Sequence, residues 1–268
     1  MGSGTVFTVA SGKGGVGKTT FTVNLAAALA DAEIEVVVVD TDFGMANVAD
    51  HLGIASETPT IHDVLGGRSD IDAAVRDVDG TLSAIPGSVD MQEFASMNPD
   101  GLLEIVDWLR DRFEVIVLDS GAGLSYETAL PLGVADGVVL VTTPTSSSVQ
   151  DTRKTADLSR RVGTHVEGLV VNRLTDRSRM EPTAIAERFE IAHLGTIPES
   201  PAVDESLVAG QPVIWRDPHD AASDAIRAAT TALTEIEIPR PIHRVPTDRP
   251  VQDESRERKG LFARLFRR

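Results

Sequence analysis

Residues 11–20 of the chain read SGKGGVGKTT, in which Gly12 to Thr19 match the phosphate-loop pattern G-x-x-x-x-G-K-[ST]. The glycines allow successive backbone N–H groups to converge on phosphates, Lys18 can reach the β- and γ-oxygens, and the Thr19 hydroxyl can hold Mg²⁺. Such a loop joins a buried strand to the N-terminus of a helix, where a polyphosphate is favoured. The pattern therefore restricts the chain to folds in which a strand, this loop and a helix follow one another.

The residues on either side of the loop have the required strand and helix patterns. Residues 5–10 (TVFTVA) predict a short buried strand. After Gly17, apolar residues recur at helical spacing at Phe21, Leu25, Ala28 and Leu29. We therefore predict a nucleotide-binding loop. Its predicted contact residues are Gly12, Lys13, Gly14, Gly15, Val16, Gly17, Lys18, Thr19 and Thr20.

Along the rest of the chain, strand-like apolar runs alternate with helical stretches. The runs occupy residues 36–39, 81–85, 115–118, 137–142, 168–171 and 193–197. This alternation is typical of a mostly parallel sheet with helices on both faces, so we predict a doubly wound α/β fold. Because ligands of such sheets bind beyond the carboxyl ends of the strands, polar residues at those ends are the candidates for the site.

The phosphate-loop pattern does not explain Lys13, which directly follows the first glycine. The string KGGVGKTT, with this early lysine, resembles the loop of the deviant Walker A ATPases of the Min and Par type. The resemblance implies ATP and Mg²⁺ as ligands and ATP hydrolysis as the activity. It also implies a homodimer in the ATP-bound state, in which Lys13 reaches the nucleotide of the partner subunit.

Three carboxylates follow predicted strands. Asp40 and Asp42 come after one run and Asp119 after another. A carboxylate beside a phosphate loop can hold Mg²⁺ through water and orient the attacking water. The resemblance implies that Asp119 is the Walker B carboxylate and that residues 40–47 form switch I. In switch I, Asp42 positions the nucleophile and Asp40 supports the site, while switch II follows Asp119. The predicted metal-site residues are Thr19, Asp40, Asp42 and Asp119, and the predicted catalytic residues are Lys13, Lys18, Asp42 and Asp119.

Two positions depart from the pattern of Min-type relatives. Gly121 stands where these relatives usually have proline, and Thr145 where they often have glutamate after Pro144. Glycine widens the allowed backbone conformations, so we expect a looser switch II and slower or more partner-dependent hydrolysis. Residues 147–151 still fit the pattern, and we predict that they lie at the dimer face.

Asn172, Arg173 and Pro198 are candidates for an adenine pocket, because each lies near the end of a predicted strand. An Asn amide can both donate to and accept from the adenine edge, and a guanidinium or a proline ring can cover its face. Roles in a loop or a turn are equally open for these residues. The resemblance covers residues 5–233.

Composition limits the remaining possibilities. With 268 residues, 41% of them apolar, the chain can form one sizeable domain with short appendages. It has no cysteine, which excludes disulfides, thiolate zinc sites and iron–sulfur ligation. No apolar run of membrane-spanning length and no secretory leader is visible, so we expect the chain in the cytoplasm.

Lysine is rare, with four lysines against 21 arginines and 41 acidic residues. This composition favours a protein of a very salty cytoplasm, as in a halophilic archaeon. An ordinary acidic protein from a GC-rich genome is the alternative.

After Ile236 the chain becomes rich in proline and charge, and prolines occur at positions 239, 241, 246 and 250. We therefore predict an ATPase domain over residues 1–237, a flexible linker over residues 238–255, and a separate tail over residues 256–268.

The tail differs from the body in charge. Residues 256–268 contain six basic and one acidic residue, net +5, whereas residues 1–255 contain 19 basic and 40 acidic residues, net −21. The predicted membrane contacts form one face of an amphipathic helix and are Leu261, Phe262, Leu265 and Phe266. The tail also resembles the membrane-targeting tail of Min ATPases. A helix that packs on its own domain and a nucleic-acid-binding tail are the alternatives.

We therefore predict an ATPase that dimerises on ATP, attaches to lipid at the inner membrane face and detaches after hydrolysis. It would position division or polar machinery together with a protein partner that the sequence does not identify. A Par-type DNA-segregation ATPase is one alternative, although the acidic body disfavours contact with DNA. A nucleotide-gated scaffold that does not hydrolyse ATP is a second, suggested by Gly121.

Overall fold

A nine-stranded, mostly parallel sheet runs through the computed structural model, which describes residues 4–55, 59–239 and 249–250. The strands are β1 (Thr5–Ser11), β2 (Val36–Thr41), β3 (Arg76–Asp77), β4 (Leu82–Ile85), β5 (Val115–Ala122), β6 (Gly137–Thr142), β7 (His165–Leu174), β8 (His193–Pro198) and β9 (Arg249–Pro250). Their order is β8-β7-β6-β1-β5-β2-β4-β3-β9. Only the pairs of β3 with β4 and with β9 are antiparallel among the described strands. The predicted doubly wound fold is confirmed.

Helices cover both faces of the sheet. They are α1 (Lys18–Asp31), α2 (Val48–Leu52), α3 (Ile61–Leu65), α4 (Ile71–Ala74), α5 (Met91–Ser96), α6 (Leu102–Arg110), α7 (Tyr126–Val134), α8 (Ser146–Val162), α9 (Pro182–Phe189), α10 (Pro201–Val208), α11 (Val213–Arg216) and α12 (Ala221–Thr234). Along β2, Val36 and Val38 pack beneath α1, α11 and α12, while Val37 and Val39 pack beneath α3 and α6. This alternation follows from the two-residue repeat of a strand.

Helix α1 is buried on almost all sides, beyond the positions of its recurring apolar residues. Every residue of α1 except Thr20 is buried. The reason is a second layer of helix outside it: Trp215 in α11 donates its indole N–H to Asp31 at 3.1 Å, and the Ile214 amide donates to Asn24 at 3.2 Å. The helix that begins at the phosphate loop is therefore fixed from both sides.

Two strands extend further than the apolar runs indicated. Strand β5 continues to Ala122, because Ser120 pairs with Thr41 of β2 and Ala122 pairs with Ser11 of β1. Strand β7 continues to Leu174, which pairs with Pro198 of β8. Polar strand ends are held here by backbone pairing rather than by apolar burial. As a result, residues 121, 172 and 173 lie in strands and not in the loops that follow them.

The predicted linker begins beside the core. Ile236 and Ile238 are partly buried and pack against the core beneath α1 and α12. Further on, the backbone of β9 pairs with β3. The predicted tail over residues 256–268, including the four proposed membrane contacts, lies outside the described residues. Within the described part of the chain, no helix combines the length and the apolar character needed to cross a bilayer.

Candidate nucleotide-binding site

The phosphate loop connects β1 to α1. At three of its positions, only glycine fits without strain or a steric clash. Gly15 and Gly17 have φ values of 75° and 93°, in the left-handed region that glycine adopts without strain. A Cβ at Gly17 would also collide with the amide of Asn172, and one at Gly12 would overlap the carbonyl group of Asp151 in α8. The loop is therefore shaped by two distant parts of the chain as well as by its own sequence.

Four of the predicted site residues meet at the first turn of α1. Lys18 is 7% exposed, and its Nζ lies 3.9 Å from Asp42 Oδ2. The Thr19 hydroxyl donates to Asp119 Oδ2 at 2.5 Å, and the Thr22 hydroxyl donates to the other carboxylate oxygen at 2.9 Å. Asp119 is fully buried in the second half of β5. This arrangement holds the Thr19 hydroxyl in a fixed place at the mouth of the loop.

Asp40 fastens the two ends of switch I. Its Oδ2 accepts from the backbone N–H groups of Asn47 and Val48, both at 2.9 Å, and its Oδ1 accepts from the N–H of Asp42 at 3.2 Å. Burial, followed by the charge of Asp119, raises the pKa of Asp40 to about 7. Because its oxygens are bonded to the backbone, Asp40 holds switch I in shape, and its part in the metal site stays a prediction.

Asp42 remains partly accessible, with 19% of its side chain exposed. Burial raises the pKa of Asp42, the charge of Lys18 opposes this, and the charge of Asp119 adds to it. Asp42 is therefore a carboxylate that water can reach, beside the lysine that is predicted to contact the phosphates.

The residues fit a magnesium ion that is bound mainly through nucleotide and water. No cluster of three or more His, Asp or Glu side chains with metal-binding geometry occurs in the described ranges. Mg²⁺ usually keeps several waters and takes few protein ligands beside substrate phosphates, which suits a single hydroxyl such as that of Thr19. A bound Mg²⁺ would neutralise charge on the β- and γ-phosphates.

Lys13 is exposed, and its Nζ lies 3.5 Å from the hydroxyl of Ser147 in the first turn of α8. The structure thus places Lys13 beside residues 147–151, which were predicted at the dimer face. Thr145, one of the two departures, is the N-cap of α8, and its hydroxyl accepts from the Ser148 amide at 3.4 Å. Threonine is suited to this position because its short side chain reaches the helix N–H groups.

The three adenine candidates lie at neighbouring strand ends. The Asn172 amide donates to the Val16 carbonyl at 2.9 Å and accepts from the Arg173 N–H at 2.9 Å. Asn172 therefore braces the phosphate loop, a contact that the sequence did not indicate. Arg173 is exposed with a φ of 56°, and Pro198 ends β8. Contacts of these residues with adenine stay predictions.

Two residues near the loop were missed by the sequence reasoning. One is Thr22, whose hydroxyl bonds Asp119. The other is His51 in α2, whose Nδ1 lies 2.9 Å from the Asn47 carbonyl and whose Nε2 lies 3.3 Å from the Thr20 hydroxyl. Because a carbonyl only accepts, Nδ1 is the donor, and Nε2 accepts from Thr20. The i to i+4 spacing of Asn47 and His51 was the sequence signal that could have indicated this contact.

Comparisons with known proteins agree with this geometry. Residues 7–213 match the family model described as the CobQ/CobB/MinD/ParA nucleotide binding domain. An uncharacterized ATP-binding protein of Methanocaldococcus jannaschii is 35% identical over 84% of this chain and 86% of its own length. The septum site-determining protein MinD of Pyrococcus horikoshii, solved with Mg-ADP, is 30% identical with a TM-score of 0.80, over 84% of this chain and 94% of that one. The cell division ATPase MinD of Pyrococcus furiosus is 32% identical with a TM-score of 0.82, over 87% and 99%.

Proposed function

Because the chain belongs to the CobQ/CobB/MinD/ParA nucleotide-binding family, we propose that it is a MinD-like ATPase whose ATP-bound dimer attaches to a membrane and detaches after hydrolysis. ATP and Mg²⁺ are the nucleotide and metal of this family. The observation that carries the proposal is the convergence of Lys18, Thr19, Asp42 and Asp119 at the first turn of α1, with Lys13 left exposed at the same edge.

In the proposed reaction, each of these side chains has one task. The loop N–H groups and Lys18 bind the β- and γ-phosphates, and Thr19, held by Asp119, supplies the hydroxyl for Mg²⁺. Asp42 accepts a hydrogen bond from the attacking water and orients it toward the γ-phosphorus. Its partial exposure leaves room for that water.

The proposed dimer brings two copies together at the face that carries the phosphate loop. Lys13 would leave Ser147 and contact the phosphates of the nucleotide in the partner subunit. Met45 in switch I has an exposed apolar side chain, as do Leu124 and Tyr126 after β5, and the dimer would cover all three. Dimerisation would thereby depend on bound ATP.

The tail over residues 256–268 would provide reversible attachment to lipid at the inner face of the cell membrane. Burial of four Leu or Phe side chains contributes about 6–12 kcal/mol. The entropy cost of ordering the tail offsets most of this gain, so one tail alone binds marginally and reversibly. Two tails on one dimer bind together at high effective concentration, which couples attachment to the nucleotide.

The acidic, lysine-poor composition supports a salt-adapted protein. At molar salt the Debye length is about 3 Å, so the Leu and Phe side chains would dominate attachment. Membrane attachment controlled by ATP would let the protein position division or polar machinery, through a partner protein that binds one nucleotide state.

Sedimentation with phosphatidylglycerol–phosphatidylcholine vesicles in molar KCl tests the proposal. The full chain, a chain truncated before Arg256, Lys13→Ala and the matched control Lys154→Ala are compared with Mg-ATP, Mg-ADP or no nucleotide. We expect ATP-selective pelleting for the full chain and Lys154→Ala, and its loss in the other two. Equal pelleting with every nucleotide contradicts the proposal. Retention on DNA without vesicle binding favours a Par-type segregation ATPase, and ATP-selective pelleting without phosphate release favours a scaffold.

A further inference from the structure

His62, in α3, is fully buried and has two backbone partners. Its Nε2 lies 2.9 Å from the carbonyl oxygen of Phe43, and its Nδ1 lies 3.0 Å from the backbone nitrogen of Ser88. A carbonyl can only accept and a backbone N–H can only donate. The ring is therefore neutral, with its proton on Nε2, and both of its nitrogens are used.

One of these partners belongs to switch I. Phe43 directly follows Asp42, and its ring meets the His62 ring edge-on at 5.7 Å between centroids. Asp40 already closes the ends of this loop through Asn47 and Val48. The bond from His62 fastens the loop between those ends, next to the carboxylate that faces Lys18.

Beyond this anchor, the tip of switch I at Gly44 and Met45 is exposed to solvent. Met45 is 75% exposed, and the local bonds that hold the turn are from its N–H to the carbonyl and carboxylate of Asp42, at 3.1 and 3.2 Å. Such bonds move with the turn and do not fix it to the body. Within the described ranges, the hydrogen bond from His62 ties the Phe43 backbone to another element.

The support behind His62 is rigid. Thr60 and Asp63 form a reciprocal capping box at the start of α3, and the Ile61 N–H donates to the Pro86 carbonyl at 2.8 Å. Gly87 packs so closely on switch I that an added Cβ would come within 2.5 Å of the Ala46 Cβ. Helix α3 and the segment after β4 thus form a fixed support beside switch I, and His62 contacts the loop from this support.

We propose that His62 is a positioning residue for ATP hydrolysis, which holds the Asp42 carboxylate in place through the carbonyl of Phe43. The inference rests on the proposed role of Asp42. Because His62 contacts no residue predicted to bind the nucleotide, its loss should lower kcat and leave KM for ATP unchanged. Misplacement of a catalytic group by about 1 Å can cost on the order of 100-fold in rate.

The test compares kcat and KM for Mg-ATP in His62→Leu, which removes the donor, and His62→Gln, which keeps an N–H donor on a similar path. Arg68→Gln is the matched control, because Arg68 donates to Asp63, Ser96 and the His62 carbonyl and so stabilises α3 without touching Phe43. We expect a kcat loss of about 10- to 100-fold in His62→Leu, rescue in His62→Gln, and wild-type kcat in Arg68→Gln.

Asp42→Asn separates failure of this inference from failure of the proposed function. A low kcat in Asp42→Asn with a wild-type kcat in His62→Leu overturns the inference alone, whereas a wild-type kcat in Asp42→Asn overturns the proposed role of Asp42. A matching loss in Arg68→Gln also overturns the inference. Should His62→Leu not fold, ¹⁵N NMR of the wild-type imidazole decides: Nε2–H supports the proposal, and Nδ1–H or an imidazolium at pH 7.5 overturns it.

Discussion

The ammonium group of Lys13 lies 3.5 Å from the hydroxyl of Ser147 in the same chain, at the mouth of the phosphate loop. At this distance and in an exposed position the hydrogen bond is weak. Little therefore holds the lysine against its own subunit, and it is free to exchange this contact for phosphate oxygens. The two residues mark the edge at which a second copy would have to approach.

Lys13→Ala should remove ATP-dependent dimerisation while Mg-ATP still binds, because Lys18 and the loop N–H groups are unchanged. Sedimentation velocity with Mg-ATP measures the effect. Lys154→Ala is the control, since Lys154 is an exposed lysine that bonds Asp151 in α8. A dimer of Lys13→Ala at the wild-type concentration would contradict the proposed role.

Gly12→Ala should destabilise the protein, because the added Cβ would overlap the backbone of Asp151 and Thr152. Overpacking of this kind typically costs about 1–3 kcal/mol. Gly133→Ala provides the opposite case. Gly133 lies in α7, where an added Cβ would meet no atom within 4 Å other than the backbone of its own helix, and alanine favours a helix by up to about 1 kcal/mol. Urea unfolding without nucleotide measures both. Equal stability of Gly12→Ala and wild type would refute the steric account.

His62 should contribute stability to the fold above about pH 6.5, and this contribution should be lost as the pH falls. Burial lowers the pKa of His62, while the Phe43 carbonyl, Glu93 and Asp63 raise it and Arg68 lowers it further. The folded state therefore binds this proton at a lower pH than the unfolded state. The stability that the neutral His62 contributes is complete above pH 6.5 and decreases as the pH falls toward the folded pKa. The slope for one proton is about 1.4 kcal/mol per pH unit.

Urea unfolding of wild type and His62→Gln at pH 7.5, 6.5 and 5.5 isolates this effect, because the other titrating groups cancel in the difference. The stability of wild type relative to His62→Gln should decrease as the pH falls. A difference that stays constant over the three pH values would show that His62 does not titrate in this way.

Local sequence patterns predicted the centre of the site. They did not predict contacts between residues that are far apart in the sequence. Lys18 lies in a short segment whose sequence predicts a strand, a loop and a helix in succession, and Asp119 follows a recognisable apolar run. The positions of both residues could therefore be predicted from local sequence. The bracing of Val16 by Asn172 joins residues 156 positions apart. The anchoring of Phe43 by His62 likewise depends on how α3 packs on switch I. Such contacts follow from tertiary packing, and no periodicity in a single sequence encodes them.

Asp119→Asn should weaken the response of hydrolysis to Mg²⁺, because Thr19 loses the charged acceptor that holds its hydroxyl. Loss of such a supporting partner typically costs about 10- to 100-fold in metal affinity or activity. Thr22→Val is the control, since it removes the second hydrogen bond to Asp119 and keeps the one from Thr19. Hydrolysis measured against Mg²⁺ concentration gives the half-saturation point. An unchanged half-saturation point and rate in Asp119→Asn would exclude this role.

Gly121→Ala and Gly123→Ala should change stability in opposite directions, although the two glycines are close in sequence. An added Cβ at Gly121, in β5, would lie 3.4 Å from Asp42 Oδ1 and 3.5 Å from Thr128 Oγ1, which are ordinary contacts. Alanine there should therefore stabilise by about 0.4–1 kcal/mol, since it restricts the unfolded chain. Gly123 has a φ of 103°, so alanine at that position is strained and should destabilise by more than this.

The same pair tests whether Gly121 loosens switch II. Alanine at position 121 restricts the backbone beside Asp42. The basal rate of ATP hydrolysis in Gly121→Ala should therefore exceed that of wild type, whereas Gly123→Ala should show no such gain. Urea unfolding gives the stabilities, and phosphate release with saturating Mg-ATP gives the rates. If Gly121→Ala is more stable but no faster, the alanine fits the strand as the geometry requires, and the flexibility of Gly121 does not limit hydrolysis.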